Sequence, residues 1–64
     1  MNTEGMIVES VKVALERTFG ASSEDLDRHL ASEGFHLKPY DLDFILKRHP
    51  LVFRTDYRGR WMLA

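Results

Sequence analysis

Cysteine is absent from this chain, which excludes disulfides and thiolate metal sites as sources of stability. Long apolar runs are absent as well, and no stretch approaches the roughly 20 residues a membrane-spanning helix needs. Met1-Asn2-Thr3-Glu4 lacks the basic region and apolar stretch of a secretion signal. No glycine-rich phosphate loop is present. Proline occurs only at Pro39 and Pro50. A net charge of −1 means that overall electrostatics do not choose between classes of partner. Together these absences lead to an expectation of a soluble protein with no membrane partner. The expected location is intracellular: cytoplasmic, or nuclear in a eukaryote.

What is present is globular. The apolar fraction of 44% belongs to a folded domain, not to a disordered segment. Sixty-four residues make a single domain spanning 1–64, with a small core. The small net charge hides an asymmetry. Residues 1–34 carry three positive and seven negative side chains, a balance of −4. Residues 35–64 carry six positive and three negative, a balance of +3. The split marks either a basic binding face or an ordinary solvated surface.

The most informative stretch is Pro50–Ala64. Two extended runs flank Tyr57-Arg58-Gly59, a hairpin signal. A three-residue loop with Gly59 in the left-handed region places Asp56 opposite Arg60, Thr55 opposite Trp61, Arg54 opposite Met62 and Phe53 opposite Leu63. Phe53, Thr55, Trp61 and Leu63 then share one face. A two-residue loop would mix the faces, so the first register is expected. A lone hairpin is marginal in water and must lie on something.

The preceding residues read as three helices. The first is expected from Glu4 to Phe19, with Thr3 as N-cap. Ile7, Val11 and Leu15 form its apolar stripe, widened by Val8, Ala14 and Phe19, and Gly20 stops it. The second is expected from about Glu24 to Glu33. A serine at 22 or 23 caps it, Leu26 and Leu30 are its buried side, and Gly34 ends it. Phe35 and Leu37 alternate, a pattern that can add a short third strand near 35–37. The third helix is expected from Pro39, at its first position, to Arg48, with Leu42, Ile45, Leu46 and His49 buried. His49-Pro50 stops it. The fold class is therefore α+β: three helices followed by a C-terminal β-hairpin.

This order resembles a winged helix-turn-helix domain, with the hairpin as the wing. The ending Val52-Phe53-Arg54 … Gly59-Arg60-Trp61-Met62-Leu63 is similar to the close of compact winged helices of the HARE-HTH type. That type includes the amino-terminal domain of the bacterial RNA polymerase delta subunit. Where such domains often have Thr-Pro at the third helix, this chain has Lys38-Pro39. The resemblance implies a role in transcription or chromatin, by binding nucleic acid or by docking on another protein.

Catalysis is not expected, nor is a cofactor or a metal. His29, His36 and His49 do not have the spacing of a zinc motif. Ser22 and Ser23 read as caps, with no histidine or glycine elbow beside them. Asp25 and Asp27, like Asp41 and Asp43, are two apart on helices and do not face each other. His49 reads as a helix-end or core histidine.

Binding is the expected class. Tyr40, Phe44 and Lys47 should point outward from the third helix, flanked by Asp43 and Arg48. That is the face a helix-turn-helix lays in the major groove. Lys38, Lys47 and Arg48 on or beside this helix, and Arg54, Arg58 and Arg60 on the hairpin, are candidate phosphate or base contacts. Tyr57 at the hairpin tip can meet sugar or stack. Asp41 and Asp43 oppose this by repelling phosphate. Tyr40 and Phe44 either mark a protein interface or wrap onto the hairpin or Phe35. Asp56 and Arg60 are expected to form an exposed cross-strand pair. The expected function is a nucleic-acid-binding accessory role in transcription or DNA transactions, on duplex DNA. The alternative is a docking module for a transcription-related protein. The expected state is a monomer or a weak homodimer, paired through the first helix or the aromatic face.

Overall fold

The structure is a computed structural model that describes residues 3–38 and 40–64. The order is α1 (Thr3–Glu16), α2 (Ser23–Ser32), α3 (Asp41–Lys47), β1 (Phe53–Thr55) and β2 (Trp61–Leu63). This is the expected α+β arrangement of three helices and a terminal antiparallel hairpin.

Along α1, Ile7, Val11 and Leu15 face the core, and Ser10 joins them. The helix stops at Glu16, not at Phe19. Arg17 N–H closes its last turn on the Ala14 carbonyl at 3.2 Å, and residues 17–19 bend away. Phe19 is consequently fully exposed and adds nothing to the apolar stripe. Thr3 lies inside the helix and is not a cap ahead of it.

Helix α2 is closed at both ends by local hydrogen bonds. Ser22 Oγ accepts from Asp25 N–H at 3.2 Å, satisfying one orphan donor of the first turn. At the other end Gly34 N–H donates to Ala31 and Phe35 N–H to Leu30, a Schellman arrangement. That turn delivers Phe35 to the core edge, where it and Leu37 are partly buried. Their alternation is met by side-chain packing from an irregular segment, and no strand forms at 35–37.

The third extended piece lies elsewhere, between α1 and α2. Ala21 and Trp61 exchange two backbone hydrogen bonds of 2.9 and 2.8 Å on the free edge of β2. Gly20 makes this approach accessible. Its φ is +132°, and a Cβ there would sit 3.4 Å from the Trp61 carbonyl oxygen.

Helix α3 is short. It starts at Asp41 after Tyr40, whose φ of 72° is left-handed, so the expected start at Pro39 is too early. Pro39 itself lies outside the described residues. Leu42 and Leu46 are buried, with Ile45 and His49 at the margin. After the helix the His49 carbonyl accepts from both Val52 and Phe53 N–H, which turns the chain into β1.

The hairpin has the expected register: Phe53 opposite Leu63, Arg54 opposite Met62, Thr55 opposite Trp61. Gly59 takes φ +77° at the end of the loop, and Asp56 N–H bonds the Arg60 carbonyl. Phe53 and Trp61 seal the core under the helices, Trp61 being only 4% exposed. Thr55 shares their side of the ribbon but lies at its loop end and is exposed. The Trp61 indole also has a polar anchor. Its Nε1–H donates to Asp43 Oδ1 at 3.0 Å, and Ser23 Oγ, 3.3 Å away, donates to the same carboxylate oxygen at 2.6 Å. One side chain thus ties the hairpin to the start of α2 and to α3.

Candidate functional site

The outer face of α3 carries Tyr40 and Phe44 one turn apart, 84% and 61% exposed. They do not fold back onto the hairpin or onto Phe35. Instead the Arg48 guanidinium, one turn further on, lies over the Phe44 ring at 4.6 Å. Arg48 Nη1 also donates to Glu4 Oε1 at 2.6 Å, and His49 Nε2 approaches the other Glu4 oxygen at 3.2 Å. The His49 hydrogen bond, with Arg48 beside it, holds the Glu4 carboxyl below the ordinary carboxylate range. Arg48 is therefore partly engaged in joining α3 to α1.

Lys47 stands where α3 meets the hairpin. It lines one open groove with Pro50, Arg54 and Thr55. It lines a second with Ser23, Asp43, Thr55 and Gly59. Helix and hairpin loop are thereby brought to one side of the molecule. Arg54 alternates outward from the buried Phe53 and is exposed. At the tip, Tyr57 is 88% exposed, and the Arg58 guanidinium lies over its ring at 5.3 Å. Lys38 is exposed ahead of α3 and does not border either groove.

Two expectations about acids are corrected here. Asp56 does not pair with the Arg60 side chain. Its Oδ1 accepts from the backbone N–H of Arg60 at 2.9 Å and of Arg58 at 2.8 Å, so it organises the loop. Those N–H groups, Arg60 first, hold its carboxyl below the usual range. The Arg60 guanidinium reaches back instead, donating from Nη2 to the Gly20 carbonyl at 2.9 Å. Asp43, expected to flank the outward face and repel phosphate, is half-buried and engaged with Ser23 and Trp61. Its charge is still felt locally: partial burial and the neighbouring Asp43 push the Asp27 carboxyl up. Asp41 remains exposed at the start of α3.

A cluster that sequence reading missed lies between α1 and α2. Ser10 Oγ donates to Glu33 Oε1 at 3.0 Å and sits 3.2 Å from His29 Nε2. The same His29 nitrogen is 2.8 Å from Glu33 Oε1. A serine nucleophile needs its hydroxyl and the acid on different imidazole nitrogens. Here both meet Nε2, so the trio is a clasp between helices and not a catalytic relay. Two signals pointed to it: the His29/Glu33 spacing of four and the place of Ser10 on the apolar stripe of α1. Beside it, Met6, Val13 and Phe35 line an open, largely apolar groove.

No family model, no curated protein and no solved structure matches this chain.

Proposed function

We propose that the chain binds nucleic acid through the outer face of α3 and the hairpin, as an accessory factor in transcription or DNA transactions. One observation carries the reading. Lys47 and Arg54 border the same groove, close to the hairpin loop that carries Arg58. None of the three cations is paired with a carboxylate among the described residues. The two acids nearest them are engaged internally, Asp56 by the loop backbone and Asp43 by Trp61 and Ser23. Free cations beside acids already hydrogen-bonded within the fold suit a run of phosphates. The resemblance to winged helices points the same way.

Titration against a duplex and its separated strands tests this. About three phosphate contacts give a salt slope near −2.7, a loss of roughly 40-fold between 50 and 200 mM salt for B-form DNA. Reversing the charge at Lys47 and Arg58 together abolishes binding. No binding to either form at low salt refutes the proposal.

A second reading, a protein-docking module, is favoured by the exposure of Tyr40, Phe44 and Leu51. Under it, nucleic acid is ignored at low salt. Phe44→Ala then weakens partner capture without lowering Tm, and sedimentation reports whether the partner is a second copy.

A further inference from the structure

We infer that the ligand of this face is single-stranded nucleic acid, whose unpaired bases stack on Tyr40, Phe44 and Tyr57. The inference rests on the nucleic-acid reading above and changes the expected form of the ligand from duplex to single strand.

The first argument is what α3 offers a duplex. A groove-reading helix contacts base edges mainly from its N-terminal residues. In α3 those residues include the exposed Asp41, and Asp43 lies in the same turn. The Asp41 carboxylate would enter between two phosphate rows, and Asp43, turned inward to Ser23 and Trp61, offers no base contact. The helix is also only seven residues long.

The second argument is what the face offers instead. Three aromatic rings stand exposed on or beside elements that carry cations. Phe44 has the Arg48 guanidinium over one side, and Tyr57 has that of Arg58. Phe44 and Tyr57 remain 61% and 88% exposed with the cation in place, so ring surface is open to a partner; Arg58 is unpaired among the described residues, while Arg48 is shared with Glu4. A duplex buries its base faces and gives such rings nothing to stack on. A single strand presents every base face, and aromatic platforms set among cations are how single strands are held. Lys47 and Arg54 supply further charge along the groove between the two ring-bearing elements.

The test compares three ligands at low salt by fluorescence anisotropy: an oligothymidylate of about 16 nucleotides, an abasic strand of equal length and charge, and a blunt duplex. The expected result is oligothymidylate bound at least about tenfold more tightly than the abasic strand. Phe44→Leu with Tyr57→Leu then removes most of that difference, Tyr40 keeping the remainder. Tyr57→Leu alone, in an exposed loop, removes part of it. Equal affinity for the thymidylate and abasic strands, or tightest binding to duplex, overturns the inference and leaves the nucleic-acid reading standing. No binding to any of the three overturns both and turns attention to a protein partner.

Discussion

Trp61→Ala is the substitution that tests the fold most directly. The side chain is 4% exposed and packs beneath all three helices, and its Nε1–H bonds Asp43. Emptying such a site costs about 3–5 kcal/mol in lost transfer energy and residual cavity. A domain of this length has a total stability of roughly 3–10 kcal/mol. The variant is therefore expected at the edge of unfolding in water. With a urea m value of about 1 kcal/mol/M for so small a chain, the midpoint falls by roughly 3–5 M. Urea melts followed by circular dichroism at the helix band give the number. Phe19→Ala is the matched control, because Phe19 is also aromatic but fully exposed; its stability changes by less than about 0.5 kcal/mol. Trp61→Phe lies between them. It keeps a ring but removes the donor to Asp43, at about 2 kcal/mol for a hydrogen bond to a charged group. A Trp61→Ala loss below about 1 kcal/mol, or a Phe19→Ala loss of equal size, would refute the placement of the hairpin under the helices.

Two further outcomes follow from local geometry. Gly59→Ala places a side chain at φ +77° with open space around the new Cβ, so its cost is backbone strain alone, about 1–2 kcal/mol by thermal melt; Gly20→Ala, at φ +132° with the new Cβ 3.4 Å from the Trp61 carbonyl oxygen, is likewise strained. The pH dependence has a definite sign. Glu4 and Asp56 titrate below their ordinary values when folded, so their contribution is present above those values and lost as pH falls through the lowered ones. Asp27 acts oppositely: its folded value is raised, so its contribution is present at low pH and lost as pH rises through that value. Tm should therefore fall below about pH 4, less steeply in Glu4→Gln and Asp56→Asn. Asp27→Asn should raise Tm above that point. An acid limb unchanged in the first two variants would contradict these assignments.

The hairpin was legible because two independent signals agreed. Gly59 allows only one economical loop, and that loop puts Phe53 and Trp61 on the same side. The helix stripes were legible for the same reason that burial repeats every three to four residues. What was not legible depends on contacts distant in sequence. Phe19 fits the periodicity of α1, but the chain leaves the helix at Glu16 to bring Ala21 against Trp61. That bridge joins residues 40 positions apart and has no local signature. Asp43 reads as a surface acid on its own helix; only the arrival of Ser23 and Trp61 draws it inward. Asp56 and Arg60 face each other across the hairpin, as the register requires. Asp56 nonetheless bonds the loop N–H groups, because they lie nearer than any guanidinium. Of the candidate site, the exposure of Tyr40, Phe44 and Tyr57 follows from helical phase and loop position. The engagement of Arg48 with Glu4 and of Arg60 with Gly20 does not.

The position of Trp61 has a consequence for biosynthesis. Every helix leaves the ribosome before the residue it closes over, and Ser23 waits 38 positions for its indole partner. Helices of this length do not persist alone in water. The nascent chain therefore exposes Leu42 and Leu46 before Phe53 and Trp61 of the ribbon can cover them. Closure of the core then waits on the ribbon and not on the helices that precede it.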